Sequence, residues 1–297
     1  MTPASASGTS RAPPRGAMFP ARSLLRRWLP RPVLIELARL RRLPSWLVET
    51  PRIARGRASP QDHECGAFVL AAHVTPLRRG GTYDERLQRG KERNVELAAA
   101  RLDGLLIRPG EIFSYHHAVG RPSRWRGFQP GLELHDGAPS VGIGGGACAV
   151  SNMLYLLALR AGMRIVERHR HALDLFPDDA RTVPFGCGAT VFYNLADLRF
   201  ENPWPDPVVL RLSVADGTLR GTLAAPRDFG FRVEVYETGH RFFRAADGDD
   251  GALFRENRIR RRITTVGGAV VSDAEVAHNR GRVLYAPPAE VTVEEAA

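Results

Sequence analysis

From Met153 to Leu159 the chain is apolar at every position, with Leu154, Leu156, Leu157 and Ala158 between. A helix with no polar face must be buried, so this stretch predicts the central helix of a core. Three glycines, Gly144, Gly145 and Gly146, and then Cys148 stand immediately in front of it. Upstream, Asp84 to Asp103 predicts a second helix, stopped by Gly104, which suits the left-handed position past a helix end. Leu105–Ile107, the turn residues Arg108-Pro109-Gly110 and Glu111–Tyr115 read as strand, tight turn and strand. Gly120 to Gly131 reads as a loop, and Asp136-Gly137 as a turn.

Behind the buried helix, Met163–His171 predicts a strand and Pro177–Pro184 a loop. From Ala189 onward the pattern is mostly strand-like. Asp216-Gly217 between Val208–Val214 and Leu219–Leu223 is a hairpin signal. Shorter strands are predicted at Phe231–Tyr236, Arg241–Arg244, Arg258–Thr265 and Ala269–Val271. The expected class is α+β: a mostly antiparallel sheet packed on a buried helix, with a strand-rich C-terminal region. Residues 1–60 read as a basic arm with short amphipathic helices, 61–225 as a core domain and 226–297 as a strand-rich extension of it.

Charge changes the picture at one end only. Residues 1–57 hold twelve of the 42 basic residues, all arginine, against Glu36 and Glu49, so the net charge of +10 belongs to the arm and the body is neutral. Lys91 is the single lysine, so the arginine preference reflects overall composition rather than recognition chemistry. No nucleic-acid motif accompanies the arm, and nucleic acid is not an expected partner. Residues 1–18 lack the apolar core of a secretory signal, and no later run reaches the ~20 apolar residues of a membrane span. The expected location is therefore cytoplasmic. Between Arg22 and Arg42, however, Val33, Leu37 and Leu40 recur at helical spacing among arginines. Such a segment either packs on the body or lies against the inner face of the cell membrane, leaving peripheral membrane contact through residues 22–42 open.

The three cysteines, Cys65, Cys148 and Cys187, are widely spaced and form no C-x-x-C pair. Cys187, between Gly186 and Gly188, reads as a turn residue, and Cys65 as inert. Cys148 falls in the first turn of the buried helix, where free amide N–H groups and the positive dipole end favour a thiolate or a developing oxyanion. Ser151 and Asn152 follow at i+3 and i+4 and share its face; with Gly145 and Gly146 they make a candidate pocket. On the next strand, alternation sets Met163, Ile165, Glu167, His169 and His171 inward and Arg164, Arg168 and Arg170 outward. Three readings stay open. Cys148 is a nucleophile with His169 or His171 as base, oriented by Glu167 or Asp174. Alternatively, Cys148, His169 and His171 ligate a metal, zinc by its preferences. In the third, Cys148 is a packing residue and the histidines are structural. His116-His117 reads as structural.

At these residues the sequence resembles the VanW family. The likeness is carried by RNVELAAARLDGLLIRPGEIFSYHHAVG (Arg93–Gly120), GIGGGACAVSNMLY (Gly142–Tyr155), IVERHRHALDLFP (Ile165–Pro177) and PFGCGATVFYNLADLRFEN (Pro184–Asn202), in family order and with family-like spacing. It extends over about residues 60–285, including the looser ENRIRRRITT. Cys148, His169 and His171 occupy family motif positions, whereas Ala149 replaces a usual glutamine and Gly188 a frequent aspartate. The resemblance implies a bacterial cell-envelope or glycopeptide-resistance context. With the residues above, it leads to an expected thiol-dependent acyl transfer or amide hydrolysis on a peptidoglycan-type peptide or lipid-linked cell-wall precursor, with no resident cofactor. The alternative is a non-catalytic accessory or ligand-binding protein, or a Cys/His metal site.

Overall fold

The computed structural model describes residues 30–44, 48, 50–58, 66–78, 84–135, 138–170, 173–174, 183–245, 251–287 and 291–295. The chain divides into two units, Met1–Leu43 and Pro44–Ala297. The first contributes helix α1 (Arg31–Leu40), which opens on Pro30 and a proline in its first turn and carries an i,i+3 bond from Arg39 to Glu36 at 2.5 Å. Proline fits there because its missing N–H would have no intrahelical partner.

The second unit holds the short strand β1 (Gly56–Arg57) and β2 (Phe68–Pro76), then helix α2 (Glu85–Leu102). Strands β3 (Leu105–Ile107) and β4 (Ile112–Ser114) lead into the one-turn helix α3 (Tyr115–Val119). The hairpin β5 (Pro130–His135) and β6 (Ala138–Ile143) precedes helix α4 (Ala147–Arg160). Strands β7 (Arg164–Glu167), β8 (Leu173–Asp174), β9 (Arg199–Glu201), β10 (Val208–Ala215) and β11 (Thr218–Ala225) follow. Three long strands, β12 (Phe231–Arg244), β13 (Leu253–Thr265) and β14 (Val270–Val283), and the short β15 (Val293–Glu295) complete it. Among the described residues no helix is long and apolar enough to cross a membrane.

The class is α+β, as the pattern predicts. One sheet runs β1-β3-β10-β11-β2, a second β15-β12-β13-β14-β8, a third β4-β9-β7, and β5-β6 stands apart as a pair. Every pairing is antiparallel except β12–β15 and β14–β8. The apolar stretch is α4, buried from Met153 to Leu159 and packed on β2, β11 and α2. A Cβ on Gly221 of β11 would come within 2.9 Å of the Leu157 side chain, so the bare backbone at that position lets helix and sheet close up. Helix α2 is capped by Asp84, which accepts the Arg86 N–H at 2.8 Å, and buries Asn94, Val95, Ala98, Ala99 and Leu102 on one face.

Two sequence expectations are changed by tertiary pairing. Leu105–Ile107 and Ile112–Ser114 are consecutive strands but enter different sheets, β3 beside β10 and β4 beside β9. The short C-terminal strands are pieces of three long ones: Phe231–Arg244 is continuous apart from an irregularity between Thr238 and Arg241, and Ala269–Val271 extends to Val283. Much of this ribbon carries charge on both faces, so no alternation announced its length.

Candidate thiol site

The floor of the site is main chain held by one buried amide. Asn94 of α2, 2% exposed, donates to the carbonyls of Gln129 and Gly145, both at 2.9 Å, and accepts the Gln129 N–H at 2.8 Å. This clamps the start of β5 against the glycine turn. A Cβ on Gly145 would stand 2.2 Å from the Gly131 carbonyl oxygen, so only glycine permits the two backbones to approach. Gly146, at φ 101°, caps α4 in the left-handed region, and its carbonyl accepts the Ala149 N–H at 2.9 Å.

Cys148, Ser151 and Asn152 share a face of α4, as their spacing predicts, and that face carries the segment from Ala189 to Val191. Ser151 Oγ donates to the Ala189 carbonyl at 2.6 Å, Asn152 Oδ1 accepts the Ala189 N–H at 2.8 Å, and the Val191 N–H donates to the Cys148 sulfur. Ser151 and Asn152 thus fasten this segment to the helix. Cys148 is half-buried as a residue, but its sulfur is enclosed. Burial pushes the thiol pKa up, and the nearby Glu133 carboxylate adds to this. The N–H groups of Val191 and of Cys148 itself act the other way.

The other edge of the same segment meets the histidine strand. Thr190 bridges His169 in antiparallel fashion, its N–H donating to the His169 carbonyl at 2.8 Å. The His169 ring does not point inward. Its side chain is 44% exposed, and Nε2 bonds Glu167 Oε1 at 2.8 Å. Arg168 turns in instead, donating to the carbonyls of Gly186 and Gly188 and lying 5.0 Å over the Tyr155 ring. Burial alternates as predicted through Glu167, where β7 ends, and the alternation breaks only beyond the strand, at Arg168 and His169. His171 lies outside the described residues, as does Cys65. Among the described residues no group of three His, Cys, Asp or Glu side chains is placed to hold a metal. Cys187 is buried beside Tyr155, at the far end of the segment from Cys148. Asp174 pairs with Arg255 at 3.2 Å.

Folding adds a buried polar cluster that the sequence left unmarked. Asp197, 3% exposed, accepts Ser114 Oγ at 2.6 Å and the His116 N–H at 3.1 Å. Its own N–H donates to Glu167 Oε1 at 3.1 Å. Burial pushes the Asp197 carboxyl up to about 7, Glu167 adding to the effect and the two hydrogen bonds opposing it. His116 Nδ1 accepts the Asn194 N–H at 3.2 Å, so in this bond the ring is neutral at that nitrogen and its 3.6 Å approach to Asp197 is not an ion pair. Tyr115 feels both Cys148 and Asp197, and with burial these raise its phenol pKa. His116 and His117 sit on the short helix α3 rather than on a strand, with His117 Nδ1 3.0 Å from Ser114 Oγ. The available signal was a serine and an aspartate in two separately recognisable stretches, which β4 and β9 bring side by side.

Residues 90–224 match the model of the family described as VanW like protein. Over these residues the chain is VanW-like. It is 32% identical to the uncharacterized protein YoaR of Bacillus subtilis over 159 residues, which is 52% of this chain and 50% of YoaR. It is 25% identical to the vancomycin B-type resistance protein VanW of Enterococcus faecalis over 215 residues, 72% of this chain and 77% of that protein. The chain therefore spans about half the length of YoaR. No solved structure matches it. The VanW-like region begins inside α2 and ends in β11, enclosing the glycine turn, Cys148, the segment Ala189–Val191 and the Asp197 cluster.

Proposed function

We propose that this VanW-like protein acts in a cell-envelope, glycopeptide-resistance context by thiol-dependent acyl transfer or amide hydrolysis on a peptidoglycan-type peptide or lipid-linked precursor. The observation that carries the reading is the pair of main-chain N–H groups, from Val191 and Cys148, acting on a sulfur in the first turn of a buried helix. Donors fixed in the backbone stabilise a thiolate without reorganising when it forms. The relative named for vancomycin B-type resistance supports the resistance context. Because burial keeps the resting thiol protonated, the nucleophile forms only when a base takes its proton. His169, already bonded to Glu167, is the described candidate for that base on this reading. The sulfur then bonds to the acyl carbon, the C–N bond breaks, and the departing amine takes the proton from the imidazole. Water or an acceptor amine releases the thioester.

A second reading rests on the raised thiol pKa and on the engagement of His169 with Glu167: the site binds a peptide without turning it over. Incubation of the full chain with a cell-wall pentapeptide and its lipid-linked form, followed by intact-mass spectrometry, separates the two. The catalytic reading expects an acyl adduct on Cys148, removable by hydroxylamine and absent from Cys148→Ala. Saturable binding equal in wild type and Cys148→Ala, with no adduct and no cleavage, establishes the binding reading instead.

A further inference from the structure

The sequence places Val33, Leu37 and Leu40 at helical spacing but leaves open which way they face. In α1 these residues are 42%, 43% and 57% exposed, and Leu43, just beyond the helix, is 44% exposed. The other apolar residues of the helix, Leu34, Ile35 and Ala38, are the half-buried ones. At 100° per residue, Val33, Leu37 and Leu40 fall within one narrow stripe, with Arg41 along one edge and Glu36, paired to Arg39 beyond it, along the other. An exposed apolar stripe with an exposed arginine alongside is the pattern of a helix lying in a membrane interface: the leucines enter the acyl boundary and the long Arg41 stem carries its charge up to the headgroups. Charge selects the occupant. Twelve arginines face two glutamates in residues 1–57, whereas the rest of the chain balances thirty basic against thirty acidic residues. A surface complementary to the stripe and its surroundings is both apolar within and negative outside, which describes an anionic lipid bilayer.

We propose that α1 is an interfacial anchor that seats its Val33–Leu37–Leu40 stripe in an anionic lipid surface. The anchor does not depend on the thiol chemistry, and it adds a membrane-facing element to a protein whose proposed substrates include lipid-linked ones.

The test is co-sedimentation of the full chain with phosphatidylglycerol-containing vesicles and with pure phosphatidylcholine vesicles, at low and high salt. Wild type is expected to sediment with the anionic vesicles, and high salt is expected to weaken this without abolishing it, because the apolar contribution is not screened. The variant Leu37→Lys/Leu40→Lys raises the positive charge while removing the stripe. It is expected to bind anionic vesicles about tenfold more weakly than wild type. Equal or tighter binding by that variant means adsorption by charge alone and overturns the proposal, as does failure of wild type to sediment. Exposed positions tolerate lysine, so an unchanged thermal midpoint confirms that the variant is folded. An acyl adduct on Cys148, measured separately in the variant, keeps failure of the anchor distinct from failure of the thiol reading.

Discussion

Helix α4 and the ribbon β12–β14 are both long elements of one unit, yet they are stabilised in opposite ways. Leu154, Leu157 and Leu159 of α4 are wholly buried, and the helix is held by the hydrophobic effect and close packing. The ribbon is held by its ladder and by cross-strand charge. Arg241 pairs with Glu256 at 2.8 Å, while Arg260 and Arg262 both reach Asp273, at 3.1 and 3.0 Å. His278 bonds Glu256 as well. At one level the ribbon nevertheless becomes core: Arg255, Asn257, Ile259 and Asn279 are buried, and Arg255 lies between the Phe185 and Phe242 rings, 4.7 and 5.1 Å from their centres. The comparison teaches that strand length here follows from backbone pairing, while anchoring follows from a single buried layer.

The largest expected effect breaks the comparison. Arg255 and Asp174 form a buried pair at 3.2 Å, with Tyr285 Oη donating to the same carboxylate at 2.7 Å. Arg255→Ala leaves a buried carboxylate without its cation and is expected to cost about 3–5 kcal/mol in urea unfolding, as much as a core truncation. A loss under ~1 kcal/mol would mean that this layer does not anchor the ribbon.

Asp197 sharpens the contrast from the core side, where polar groups are tolerated only when saturated. Its folded-state pKa, about 7, lies above the ordinary 3.8, so the native state holds a proton that the unfolded chain has released. Its stabilising contribution is therefore complete below the unfolded value and is lost as pH rises through about 7. Asp197→Asn keeps an acceptor oxygen for the His116 N–H, presents its NH2 to Ser114 Oγ, and cannot ionise. The stability of wild type relative to this variant is expected to fall between about pH 4 and about pH 7 when measured by urea unfolding. A difference independent of pH would show that Asp197 is ionised in the fold throughout.

The smallest effect is expected at the surface of the ribbon. Asp273 accepts from Tyr236, Arg260 and Arg262 but is only half-buried, so water can replace a lost partner. Asp273→Asn is expected to leave the thermal midpoint within experimental error. A clear drop would show that the charge network, rather than the ladder and the buried layer, holds the strands.

How much of the site was legible follows the same division. The face shared by Cys148, Ser151 and Asn152 was readable, because helical geometry depends on nothing beyond the chain itself. What that face meets was not. Ala189–Val191 arrives from about 40 residues downstream, and its main-chain groups carry no side-chain signal. The orientation of His169 and Arg168 was misjudged because alternation holds only within a strand, and β7 ends at Glu167, before either residue.

The sequence by itself determined the buried helix, the glycine turn before it, the capped helix α2 and the hairpin at Asp216-Gly217, where two positive φ angles, 50° and 66°, are needed. Each is a local matter of periodicity or backbone freedom. Only the tertiary structure decided that β3 and β4 part into different sheets, that Ser114 meets Asp197 across 83 residues, and that the Cys148 sulfur receives the Val191 N–H. These depend on which distant backbones pair. Pairing is set by the packing of the whole core, which no short stretch of sequence encodes.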